Sequence, residues 1–320
     1  MFALLCPGQG SQTPGMLTPW LEGPRAAAHI TEWSRAAGVD LAAHGTRSDA
    51  ATIRDTAIAQ PLIVATSLLA FHAAADAVPA IAASRHPAPA PRSTPAVVVA
   101  GHSVGEFTAA AIAGILTPTE AVALVAERGR AMAACAAAEP TGMTAVIGGD
   151  PDAVLAAIRA AGLIPANING AGQVVAAGPR AALATLEACP PAGARVRRLD
   201  VAGAFHTPSM AGAQERLARS VAALPPRSRA TTTIPLVSCR DGAAVHDTSA
   251  VLTRLVDQVT APVRWDLVMR TMASLPLTCA VELAPAGVLT GLARRELPGP
   301  ARVKFNGPGD GAHVNEAVAA

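Results

Sequence analysis

Apolar residues fall into two kinds of run along this chain. Short continuous runs, Phe2 to Cys6 and Val97 to Ala100, lack the alternation of a one-sided sheet and predict buried strands, and Ile234 to Ser238 and Cys279 to Leu283 are further strand candidates. Longer runs with helical spacing lie between them. One covers about Ala26 to Ala37, a second Leu62 to Ala77 with Pro61 at its first position, and a third Thr119 to about Ala138. Thr117-Pro118-Thr119-Glu120 opens the third as a cap followed by an acidic first turn, and Pro140-Thr141-Gly142 ends it. From Met143 the elements shorten: strand MTAVIGG, helix PDAVLAAIRAAG, a strand over Ile164 to Asn169, strand GQVVAAG, a helix near Pro179 to Ala188, and strand ARVRRLDV. That β-α-β-β-α-β order is the ferredoxin-like arrangement. It predicts a small inserted domain at 132–199, with 1–131 and 200–320 forming a larger α/β domain around a parallel sheet. The proline-rich segment Ser84 to Pro95 reads as a surface loop, and no repeat is evident.

Composition narrows this picture. A chain of 320 residues with 51% hydrophobic and 15% charged residues has ample core material and no bias toward disorder. The mean hydropathy of +0.36 raises the question of a membrane segment. The charge-free stretch Ala160 to Pro179 carries Pro165, Asn167, Asn169 and Gln173, which makes a poor span, and MFALLCPGQG has no basic flank. A cytoplasmic protein with no membrane contact is expected. Five scattered cysteines support neither a disulfide framework nor a metal site. A net charge of +2, no tyrosine and 2% aromatics exclude the basic stripe and stacking platforms of a nucleic-acid binder.

The chemistry starts at Gly101-His102-Ser103-Val104-Gly105, a G-x-S-x-G sequence between a buried strand and a helix. In that context the glycines let strand and helix approach while the serine is held exposed on a strained turn as a nucleophile. The Val104 N–H then lies at a helix N-terminus, where it can stabilise an oxyanion. A second donor can come from another glycine-rich strand-to-turn junction, Pro7-Gly8-Gln9-Gly10, with Gln9 the candidate. Of the eight histidines, His206 in the apolar segment VAGAFHTP is a candidate base, but spacing alone leaves the base open. His102, beside the serine, reads as a packing residue or a support for the site.

Together PGQGSQ at 7–12, GHSVGE at 101–106, GAFH at 203–206 and PAGVLTGL at 285–292 resemble the malonyl-CoA:acyl carrier protein transacylases, over nearly the whole chain. The resemblance implies a large α/β-hydrolase-like domain with an inserted ferredoxin-like α+β domain. It implies a Ser103–His206 dyad whose imidazole is oriented by the Gln258 backbone carbonyl, with oxyanion donors at the N–H groups of Gln9 and Val104. Arg128 matches the arginine that pairs with the malonyl carboxylate, through the two parallel hydrogen bonds a guanidinium can offer. Gln60, Asn169 and His102 match positions around the substrate cleft, and Phe205 the malonyl-selective pattern. No cofactor or metal is implied. The partners implied are a coenzyme A thioester and an acyl carrier protein, which Arg195, Arg197 and Arg198 can help to dock; a monomer is expected. The sequence departs from many relatives at Ala286, where they carry glycine.

Three rival readings make different demands. A hydrolase on the same elbow would carry an acid between serine and histidine in chain order, yet the acids there, such as Asp150 and Asp152, fall largely in the inserted segment. A non-catalytic module would have lost the nucleophile, the base or the arginine, and all three are present. A loading domain for simple acyl chains would have no use for Arg128.

Overall fold

The five residues of β1 (Phe2–Cys6) are all buried, and their side chains divide between two cores: Phe2, Leu4 and Cys6 on one face, Ala3 and Leu5 on the other. A strand covered on both faces needs apolar residues at every position, which is why the run shows no alternation. The structure is a computed structural model that describes residues 1–85, 97–227 and 230–319. After β1 come α1 (Pro24–Ala37), α2 (Leu41–Thr46), α3 (Thr56–Ala77), α4 (Pro79–Arg85), β2 (Val97–Gly101), α5 (Gly105–Ile112) and α6 (Pro118–Ala138). The short elements follow: β3 (Thr141–Gly148), α7 (Pro151–Ala160), β4 (Ile164–Gly170), β5 (Gln173–Pro179), α8 (Arg180–Ala188) and β6 (Ala194–Arg198). The chain closes with α9 (Ala211–Ala222), β7 (Thr231–Val237), β8 (Ala244–Asp247), α10 (Thr248–Asp257), β9 (Val263–Arg264), α11 (Trp265–Ala273), β10 (Cys279–Leu283), α12 (Val288–Glu296), β11 (Ala301–Phe305) and α13 (Gly311–Ala319).

Two mixed sheets result. The first has the order β11-β10-β1-β2-β7-β8, parallel except for the β7–β8 pair. One face is covered by a core that includes α3, α5, α6 and α9, the other by α11 and α12. The second sheet has the order β6-β3-β5-β4-β9. Its outer face buries Val146, Val174 and Ala176 against α7 and α8. The alternate residues Met143, Ala145 and Val175 face a cleft of about 440 Å³ between the sheets. The strand pair β4–β9 is parallel and joins residues 167–168 to residues 263–264, so the small sheet gains a strand beyond the six-element order read from sequence.

Helix α3 differs from expectation at its start. Pro61 lies inside it, and the helix begins five residues earlier, at Thr56, where the Asp55 side chain accepts from the Ala57 N–H. Proline this near the start forfeits one intrahelical bond, so a good cap upstream can carry the helix through it. Among the described residues this is also the one helix long and apolar enough to cross a membrane by length and composition, but 78% of its most apolar window is buried inside the fold. The loop expected over 84–95 begins on the last two residues of α4 and otherwise lies outside the described residues. Strands β8 and β11 and helix α13 had no clear periodic signal.

The cap read at Thr117 is complete: its hydroxyl accepts from the Glu120 N–H, and the Glu120 carboxylate from the Thr117 N–H. Helix α6 then crosses α3 at Gly129, where a Cβ would come within 2.8 Å of the Thr56 carbonyl oxygen. Only a residue without a side chain permits that approach, and the residue beside it is Arg128.

Candidate active site

Ser103 sits on the turn between β2 and α5 with φ of 52°, a left-handed conformation that non-glycine residues seldom adopt. The turn is held from both sides. A Cβ on Gly101 would lie 2.1 Å from the Gly105 carbonyl carbon, and one on Gly105 2.2 Å from the Cys6 carbonyl oxygen. Both glycines of the motif are therefore required by close approach of backbone to backbone. A Cβ on Gly8 would stand 2.6 Å from the His102 carbonyl oxygen, so the 7–10 turn abuts the serine turn, as the second glycine-rich junction led us to expect. Gln9 and Val104 both line the cleft, and their backbone N–H groups donate to no other group among the described residues.

His206, itself at φ of 61°, brings Nε2 within 2.7 Å of Ser103 Oγ, while its Nδ1 lies 2.7 Å from the Gln258 carbonyl oxygen. The carbonyl can only accept, so Nδ1 carries the proton and Nε2 is free to take one from the serine hydroxyl. Burial, followed by the nearby Arg128 charge, lowers the imidazole pKa to about 3. The ring is thus neutral in the free protein at every ordinary pH. Titrating its nitrogen NMR signals is expected to show no protonation between pH 8 and pH 5; a midpoint near the usual histidine value of about 6.5 would contradict this environment.

Arg128 is 1% exposed, yet among the described residues no carboxylate touches it. Its Nη1 donates to Gln60 Oε1 at 2.7 Å, and its Nη2 to Gln258 Oε1 at 3.0 Å and to Ser103 Oγ at 3.2 Å. Its Nε has no partner among the described residues. Burial lowers its pKa to about 10, which still leaves it a cation. A buried cation with an unmatched donor is costly unless a ligand supplies the anion.

The remaining predicted residues converge on the same cleft. Gln60 and Phe205 line it, and Asn169 enters from β4, where its Oδ1 accepts from His102 Nε2 at 2.9 Å. His102 therefore ties the serine turn to the small sheet, and its ring packs on Trp265. Sequence reasoning assigned nothing to Glu106, which is 1% exposed and accepts from Gln258 Nε2 at 2.6 Å. The available signal was an acid in the otherwise apolar start of α5. It also missed the Arg54–Asp200 ion pair, 2.5 Å long, at the cleft wall. Among the described residues no group of three or more His, Cys, Asp or Glu is arranged to hold a metal.

The arrangement can deprotonate a serine, receive an oxyanion on two backbone donors, and bind an anion beside the attacked carbonyl. Residues 3–298 match the acyl transferase domain family. A malonyl CoA-acyl carrier protein transacylase of Mycobacterium bovis is 50% identical over 94% of this chain and 95% of its own length. The crystal structure of MCAT from Mycobacterium tuberculosis superposes with a TM-score of 0.90 at 48% identity, covering 98% of this chain and 99% of the other. A malonyl-transacylase in complex with a type II PKS acyl-carrier protein superposes at 0.82 with 28% identity, covering 98% and 99%. The chain belongs to the acyl transferase domain family and, within it, to the malonyl CoA-acyl carrier protein transacylases.

Proposed function

We propose that this protein moves the malonyl group of malonyl-CoA, through an ester on Ser103, to the phosphopantetheine thiol of an acyl carrier protein. The observation that carries the reading is Arg128, a buried cation 3.2 Å from the serine hydroxyl with, among the described residues, an unpaired Nε–H and no acid in contact. Such a group favours an acyl chain that ends in a carboxylate and is left unpaired by one that does not. Ser103 attacks the thioester carbonyl as His206 Nε2 takes the hydroxyl proton, and the N–H groups of Gln9 and Val104 hold the oxyanion. His206 returns the proton to the departing coenzyme A thiol. In the second half-reaction it takes the proton from the carrier's thiol, which attacks the ester, and returns it to the Ser103 oxygen as that leaves. The Gln258 carbonyl stabilises the imidazolium that forms in each half.

Phe205, buried at the cleft wall, is read as excluding a branch on the acyl chain; Gln60, Asn169 and His102 are read as shaping the cleft. The larger part, 1–131 and 200–320, is read as an α/β-hydrolase-like domain, and 132–199 as an inserted ferredoxin-like domain, supported by the β3-α7-β4-β5-α8-β6 succession. On β6, Arg198 is bound to Glu187, whereas Arg195 and Arg197 are exposed, which suits an acidic carrier. A cytoplasmic monomer that needs no cofactor completes the reading; its product suits fatty-acid or polyketide synthesis. Mixing the protein with malonyl-CoA and no carrier tests it. Intact mass is expected to show one malonyl adduct with stoichiometric release of coenzyme A, and transfer of that adduct when a phosphopantetheinylated carrier is added. Neither adduct nor released coenzyme A would overturn the reading.

A further inference from the structure

Gln258 faces two groups that ask opposite things of its amide. Arg128 Nη2 can only donate, so the atom turned toward it must be the oxygen, which it meets at 3.0 Å. On the other side lies Glu106, whose Oε2 is 2.6 Å from Gln258 Nε2 and whose Oε1 accepts from the Cys239 N–H at 2.8 Å. The same Nε2 also reaches the Ser103 carbonyl at 3.3 Å. An amide does not choose its own orientation; its neighbours do. Here an ionised carboxylate, which only accepts, requires the nitrogen, and so turns the oxygen to the arginine.

We infer that Glu106 is a positioning residue for acyl-group selectivity: it fixes the Gln258 amide so that its oxygen anchors Arg128 where a malonyl carboxylate arrives. The inference rests on the malonyl reading of Arg128 above. Glu106 touches neither the serine hydroxyl nor the cleft. It acts through one side chain, and that side chain belongs to the residue whose backbone carbonyl orients His206.

The chemistry of the relay makes it sensitive to a proton. The charged or titratable groups around Glu106 are Arg128 from α6, Arg254 from α10 and the Cys239 thiol from the segment after β7, with Ser238 as a further hydrogen-bonding neighbour. Arg254 is engaged by Asp241 at 2.7 Å, and burial keeps the thiol neutral. Burial outweighs the surrounding donors at the carboxyl and raises its pKa to about 7. Below that value the carboxyl carries a proton and can donate. It then no longer demands the Gln258 nitrogen alone, so the amide loses one of the two groups that fix it and holds Arg128 less firmly.

Glu106→Gln imitates that protonated state permanently. Its oxygen can keep the Cys239 N–H bond while its amino group faces Gln258. The test measures single-turnover acylation of the intact protein by malonyl-CoA and by acetyl-CoA, across pH 6 to 8.5, with melting curves for each variant. Because both donors share the serine, the imidazole and the coenzyme A moiety, their ratio isolates the carboxylate contact. The ratio of malonyl to acetyl rates is expected to fall about tenfold in Glu106→Gln, the size of one lost orienting hydrogen bond, and to be flat with pH. In the native protein it should fall as pH drops through about 7. Glu106→Asp, which restores an acceptor-only group, should recover the pH dependence. If Glu106→Gln melts early, the native pH series and the aspartate variant still decide. An unchanged ratio in Glu106→Gln, or a native ratio independent of pH, would overturn the role of Glu106. Equal acylation of the native protein by both donors would instead remove the malonyl reading of Arg128 and this role with it.

Discussion

Ser103→Ala is expected to form no malonyl adduct and to release coenzyme A about 10⁶-fold more slowly than the native protein, the scale seen when a nucleophile is removed from a hydrogen-bonded set. The physical reason is that every other group of the site acts on the bond the serine makes. His206 Nε2 has Ser103 Oγ as its acceptor-side partner at 2.7 Å, and without it the neutral imidazole has no proton to take. The substitution leaves Arg128 anchored by Gln60 and Gln258, so malonyl-CoA should still bind. Intact mass and coenzyme A release, measured in one tube, check this. An adduct forming on the variant at anything near the native rate would assign the acyl group to another residue and undo the mechanism.

Arg128→Ala carries the second large effect. It should lower kcat/KM for malonyl-CoA about 100- to 1000-fold, the usual loss when one partner of a buried charged hydrogen-bonded pair is cut away. The change should reverse the order of substrates, because the vacated space beside the serine no longer holds a cation that an uncharged acyl chain leaves unmatched. Arg128→Lys should fall between: it keeps the charge but cannot reach Gln60, Gln258 and Ser103 at once, as the planar guanidinium does. Steady-state kinetics with malonyl-CoA and acetyl-CoA on the three proteins distinguish the cases. Equal losses with both donors would mean that Arg128 serves the fold and not selectivity.

How much of this was visible in the sequence depended on how local each cause is. The serine turn was legible because its strand, glycines and helix are contiguous, and the close contacts at Gly101 and Gly105 are what that spacing encodes. The cap at Thr117 was legible for the same reason. The base was legible only as a candidate: His206 is 103 residues from Ser103, its apolar segment left it one choice among eight histidines, and the resemblance alone paired it with the serine. Gln258 was expected for its backbone alone, since the role of its side chain depends on Glu106 and Arg128, 152 and 130 residues away. The start of α3 was misjudged because Pro61 reads locally as the first position of a helix, whereas the Asp55 cap and the packing of α6 that set the true start act from outside the apolar run. The short strands β8 and β11 are part-exposed sheet edges whose stability comes from their neighbours, so no periodic pattern announced them.

The contact between Gly129 and Thr56, with the Thr117 cap at the other end, makes α6 a ruler. Twelve positions 117–128 separate the point where its rotation is set from the guanidinium it delivers, and each residue turns the helix by about 100°. Inserting or deleting a single residue in that interval would swing the arginine out of the cleft and the glycine off the crossing together, although every motif in the chain would still read intact. On the proposed reading of Arg128, specificity is therefore encoded in phase as well as in identity, and a comparison that checks only which residues are present, without counting the spacing from the cap, would pass a variant that had lost its substrate.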